Sequence, residues 1–238
     1  MNNSINLLFS SPKILLWFTA TSVFFLILYY LSYPFEYQKN YLFKDYFSIT
    51  KEKNVPTFFS FIIMVLISMV YFLLYKEKEK LSWLIISIFF LYLGFDDMFK
   101  IHENLGSQVG LAVVNDALSM NFISYYWQAV FMPIFAIFGL YIFYATYKEF
   151  LIQKKPIGAY MMFGGFTLYA IAIALDFYEG SGSNFFWILE LFPTLYFDDI
   201  VHLMRATEEA IEMLGGTLIL ASLLKLKTFQ INIQYNKD

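Results

Sequence analysis

The stretch "GFDDMFKIHENLG" (94–106) holds Asp96, Asp97, Lys100, His102 and Glu103, directly after the uncharged run "LSWLIISIFFLYL". Carboxylates and an imidazole this close together can ligate a divalent cation, relay protons or pair with one another. A second polar group opens a late apolar segment, "DDIVHLMRATEEAIEML" (198–214). At about 100° per residue, Asp198, His202, Arg205, Glu209 and Glu212 fall on one helical face. Asp199 and Glu208 lie to either side of it. His102 and His202 are the two histidines of the chain, and both stand beside acids.

The charges do not balance. Asp96, Asp97, Glu103, Asp176, Glu179, Asp198, Asp199, Glu208, Glu209 and Glu212 make ten acids, against Lys100 and Arg205 as fixed cations nearby. In a low-dielectric setting some must be protonated, or a cation must sit among them. Two imidazoles with several carboxylates form the ligand set of a catalytic zinc or of a carboxylate-bridged di-iron or di-manganese site. The candidate ligands are His102, Glu103, Asp199, His202 and Glu209, with Asp96 and Asp198 as further ligands or their supports. Asp199 and His202 are three apart, a spacing from which both reach one ion. With metal-activated water as the nucleophile, Asp97 or Glu212 would shuttle protons and Arg205 would hold an anionic headgroup of a lipid-like substrate. The same stripe also fits the relay of a proton- or cation-coupled transporter. A purely structural network in a non-catalytic subunit is the third reading. With no Cys, disulfides and thiolate ligands are excluded.

The elements that carry these residues must lie in a membrane. The 238 residues are 59% hydrophobic and only 15% charged, where soluble domains run at about 25% charged. Mean hydropathy is +0.58. Six runs meet the roughly 20-residue length of a spanning helix: 13–33, 57–75, 81–104, 127–147, 157–178 and 198–224. The fold expected is therefore all-α, a polytopic bundle of about six transmembrane helices in a single domain over 1–238. The first apolar run lacks a basic leader and reads as a retained helix. The segments near 105–126 and 180–197 carry no Lys or Arg, and read as interfacial or re-entrant covers packed on protein.

Ten basic residues fall at one end of such a bundle: Lys13, Lys76, Lys78, Lys80, Lys148, Lys154, Lys155, Lys225, Lys227 and Lys237. Lys39, Lys44, Lys51 and Lys53 fall at the other. Both termini are thus expected in the cytoplasm of a bacterial inner (plasma) membrane, with the polar groups in the outer half. Glu209 would lie about 16 Å below Asp198. The expected surroundings are membrane lipids. Dispersed basic residues give no nucleic-acid footprint.

"FLYLGFDDMFKIHENLG" (90–106) and "ATEEAIEMLGGTLIL" (206–220) resemble two segments of uncharacterised bacterial multi-pass membrane proteins. Their pattern is Asp-(Asp/Glu), four residues, His-Glu, and a later Glu-Glu-x2-Glu. The resemblance touches Asp96, Asp97, His102, Glu103, Glu208, Glu209 and Glu212. It implies that the two segments act together, and it carries no established activity.

Overall fold

Asn54 begins the second helix by a side-chain cap. Its Oδ1 accepts the Thr57 backbone N–H and hydroxyl, both at 3.1 Å, while Pro56 sets the first turn. The computed structural model in which this is seen describes residues 11–32, 54–113, 126–180 and 197–226, together with residue 46. Of residues 11, 31, 32, 103, 109–113, 126–130, 177–180 and 197–202 the backbone alone is described. The described elements are all helical: α1 (Ser11–Ser32), α2 (Val55–Lys78), α3 (Leu81–Phe99), α4 (Ile101–Val113), α5 (Tyr126–Ile152), α6 (Pro156–Gly180) and α7 (Phe197–Leu226). Asn54→Ala removes the α2 cap and is expected to cost about 1 kcal/mol, read as a lower thermal unfolding midpoint in detergent.

Five helices, α1, α2, α3, α5 and α6, are long and apolar enough to cross a bilayer. The expected sixth span, α7, has 30 residues, about 45 Å at 1.5 Å per residue. Arg205, Glu208, Glu209 and Glu212 interrupt its apolar character. Its second half is nevertheless deeply buried, with Met213, Ile219, Leu220, Leu223 and Leu226 in the core. α7 packs against α6, α1 and α2, so the helix richest in intramembrane acids is central to the bundle. Ala206, Ala210 and Met213 turn toward Phe25 and Tyr29 of α1.

Lipid tails are as apolar as leucine, so association of these helices relies on close packing and interhelical hydrogen bonds. Both are present. Ser68 of α2 and Ser87 of α3 exchange hydroxyl-to-carbonyl bonds at 2.8 and 2.9 Å. The buried Tyr71 hydroxyl of α2 meets Thr146 of α5 at 2.9 Å. α6 and α7 cross at Gly165 and Gly215. A Cβ on Gly165 would stand 2.9 Å from the Gly215 carbonyl, and one on Gly215 would stand 3.1 Å from the Gly165 carbonyl.

Two contacts identify one end of the bundle. Lys78, at the end of α2, pairs with the buried Glu149 of α5. The Lys155 ammonium donates to the Leu226 carbonyl at the end of α7, at 2.9 Å. The α2–α3 turn, the α5–α6 turn and the end of α7 therefore meet, and bring Lys76, Lys78, Lys80, Lys148, Lys154, Lys155 and Lys225 together. Asp96, His102, Asp176 and Glu208 to Glu212 belong to the opposite half. Glu149→Gln leaves the Lys78 charge without its carboxylate. Removing one partner of a fully buried pair costs about 3–5 kcal/mol. Lys78 retains partial exposure and can reach water, so about 1–2 kcal/mol is expected, read as a lower unfolding midpoint that falls little further with added salt.

The expected boundaries hold to within a few residues except at one place. The run 81–104 is not one helix. α3 stops at Phe99, Lys100 adopts a left-handed conformation (φ 51°), and α4 starts at Ile101. One unbroken helix over 81–104 would put Asp96 and Glu103, seven residues apart, on a common face, and this break removes that register. Asp96 and Lys100 explain the break, since the Lys100 N–H caps back onto the Asp96 carbonyl. The first half of the expected 105–126 cover is the rest of α4, which packs on α5. Residues 114–125 and 181–196, the remainder of the two covers, lie outside the described residues.

Candidate intramembrane site

The helix break is held by Asp96. Its carboxylate is buried and bonds His102 twice: Oδ1 accepts the His102 backbone N–H at 2.8 Å, and Oδ2 faces Nδ1 at 2.8 Å. The first bond caps the N-terminus of α4, where N–H groups lack helical acceptors. The second fixes the ring. Where the Asp96 oxygen accepts, Nδ1 carries the proton, and the neutral ring keeps its lone pair at Nε2. The Tyr92 hydroxyl donates to Asp96 Oδ1 at 3.4 Å, one helical turn earlier on α3. Asp96 thus supports His102 rather than standing beside it as an equivalent ligand.

Around this dyad the carboxylates converge from three helices. Glu212 of α7 lies within electrostatic reach of Asp97 at the end of α3, Asp176 near the end of α6, and His102. Glu209, one turn further out on α7, is within reach of Asp97, Glu212, Glu208 and the Lys100 ammonium. Asp97, Lys100, Asp176, Glu208, Glu209 and Glu212 are all half-buried. Arg205 is exposed on the surface of α7. Of the acids expected to gather, Asp97, Asp176, Glu208, Glu209 and Glu212 are linked by these interactions across α3, α6 and α7. Asp198, Asp199 and His202 belong to the first turns of α7 by backbone, and Glu103 to α4. Their side chains lie outside the described residues. Among the described residues, no group of three or more His, Cys, Asp or Glu is arranged to hold a metal ion.

Two tyrosines belong to the site and were not expected from sequence. Tyr92 precedes Asp96 by four residues, the spacing that brings side chains together on a helix. Tyr169 precedes Asp176 by seven on α6 and lies within electrostatic reach of Glu212 and Asp97. With 19 tyrosines and 29 phenylalanines in the chain, composition could not separate these two from the lipid-facing aromatics. Helical spacing to an acid was the available signal.

A bundle of apolar helices, lysine-rich at one end and with acids clustered in the opposite half, defines an all-α, multi-pass integral membrane protein. Residues 14–226 match the family described as "Domain of unknown function (DUF8692)", and the chain belongs to that family. Neither the curated proteins nor the solved structures contain a match to it.

Proposed function

We propose that this membrane protein binds a divalent transition metal in the half of the bundle opposite its lysine-rich end. The observation that supports this most is the Asp96–His102 dyad. A ligating histidine almost always donates its other ring N–H to a carboxylate or carbonyl, which fixes tautomer and orientation. Asp96 does that here, from a buried position, and the Nε2 lone pair is the ligating group. Glu209 supplies a hard oxygen ligand within the same field of charge. His202 and Asp199, on the outer turns of α7, complete the proposed set. Zinc, iron and manganese fit the mixture of imidazole and carboxylate.

The lysine-rich end is proposed to face the cytoplasm, which directs the site toward the outer leaflet. There a bound metal would activate water or polarise an ester oxygen. Asp97 or Glu212 would take the proton, and the exposed Arg205 would meet the anionic headgroup of a lipid-like substrate.

One observation favours a second reading. The described acids run as an interacting string, Glu208, Glu209, Asp97, Glu212 and Asp176, without three of them gathering about one point. Such a string suits proton-coupled transport. The two readings separate in liposomes. Under the metal reading the protein takes up Mn²⁺, seen as loss of the free-ion electron paramagnetic resonance signal, and an imposed pH gradient drives no flux. Proton-coupled flux abolished by Glu209→Gln, without Mn²⁺ uptake, would replace the metal reading with the second.

A further inference from the structure

Tyr169 is placed beside the close crossing of α6 and α7 at Gly165 and Gly215. A Cβ on Gly215 would stand 3.0 Å from its ring, and one on Gly216 would stand 3.1 Å from its hydroxyl and 2.8 Å from Ile63. The glycine pair therefore lets the phenol lie against the α7 backbone, between α6, α7 and α2. There its hydroxyl donates to Met64 Sδ at 3.9 Å. A thioether is a weak acceptor, an unusual end for a phenol set this deliberately beside acids.

Those acids are one turn away. Glu212 precedes Gly216 by four residues, so the two positions share a face of α7. Side chains lean toward the N-terminus of their helix, which carries the Glu212 carboxylate away from Gly216 and toward the site. The phenol and the carboxylate are thus neighbours, within electrostatic reach across α6 and α7. Asp97 of α3 is within electrostatic reach of both. A buried water needs two to four polar partners, and these three groups supply them.

We propose that Tyr169 is a positioning residue for Glu212. Its one hydroxyl proton turns from the weak Met64 thioether to a water shared with Glu212 and Asp97, and so fixes the direction of the Glu212 carboxylate at the inner boundary of the acidic cluster. The consequence for ion binding rests on the metal reading; the hydrogen bond itself does not.

Tyr169→Phe keeps the ring against the glycines and removes only the hydroxyl. In metal-free protein, the infrared difference spectrum between wild type and Tyr169→Phe is expected to show a shifted carboxyl C=O band, and to lose that feature in a Glu212→Gln background. Met64→Leu, which removes the thioether alone, should leave the band in place. Mn²⁺ affinity should fall about tenfold in Tyr169→Phe, the lower end of what loss of a ligand's supporting hydrogen bond costs. If wild type binds no Mn²⁺ but the band still shifts, the metal reading falls and the role of Tyr169 stands. If the carboxyl band does not move, or moves equally without Glu212, the role of Tyr169 is overturned, whatever the affinity. A merely structural tyrosine would lower the unfolding midpoint and leave the band unchanged.

Discussion

Gly165→Val is expected to destabilise the bundle by about 3 kcal/mol, the upper end of the cost of overfilling a packed interior. A Cβ at this position would stand 2.6 Å from Ile219 Cγ1, 2.9 Å from the Gly215 carbonyl oxygen and 3.1 Å from the Ile219 backbone nitrogen. Two of these three obstacles are α7 backbone and cannot swing aside. The two helices must separate along the seam, and in a bilayer no difference in apolarity draws them back. Separation also moves Asp176 away from Glu212, so the polar site loosens with the packing. Gly164→Ala provides the comparison. Its Cβ would meet Leu218 Cδ1 at 3.6 Å, an ordinary contact, and its stability should match or slightly exceed wild type through helix propensity. Thermal unfolding in detergent reads both. Equal midpoints for Gly165→Val and wild type would mean that α6 and α7 do not cross here.

The second large effect is expected at Asp96, and there the choice of substitution separates two roles. Asparagine can still accept the His102 backbone N–H through Oδ1 and is itself a good cap, so α4 should stay seated and stability should change little. Its amide nitrogen, however, turns toward Nδ1 as a donor. The ring must then present its lone pair at Nδ1 and carry its proton at Nε2, the wrong tautomer for ligation through Nε2. Asp96→Asn should therefore lose about 10- to 100-fold in metal affinity with a near-normal unfolding midpoint. Asp96→Ala should lose the affinity and, in addition, about 1 kcal/mol for the missing cap. Mn²⁺ titration and thermal unfolding of the same preparations measure the two separately. Coincident losses of stability and affinity in Asp96→Asn would reduce the dyad to a structural clasp.

Much of the architecture can be read from residues. The apolar runs locate α1, α2, α5 and α6 to within a few residues, because a membrane span needs uninterrupted apolar length. The stripe from Asp198 to Glu212 marks α7, whose burial at the centre of the bundle accounts for the acids it carries. The convergence of acids on α3, α6 and α7 follows from helix direction alone, since alternate spans point their ends to the same face.

What stayed hidden was local. "FDDMFKIHE" reads as continuous helix because Lys100 has an ordinary helix propensity. Nothing in its composition announces a left-handed residue, and the break exists because Asp96 offers both backbone and side-chain acceptors to the next turn. Tyr169 was hidden for a different reason. Its place depends on two glycines on another helix, a relation between segments far apart in sequence. The glycine pairs at 164–165 and 215–216 do signal close packing, but not which aromatic they admit.

The metal content of protein purified without chelator tests the account most directly. Elemental analysis is expected to find a transition metal in stoichiometric amount in wild type, and a marked loss in both His102→Ala and His202→Ala with their folds retained. Wild-type protein that is metal-free and does not take up zinc, iron or manganese on titration would contradict the account, as would a metal content that neither histidine substitution changes.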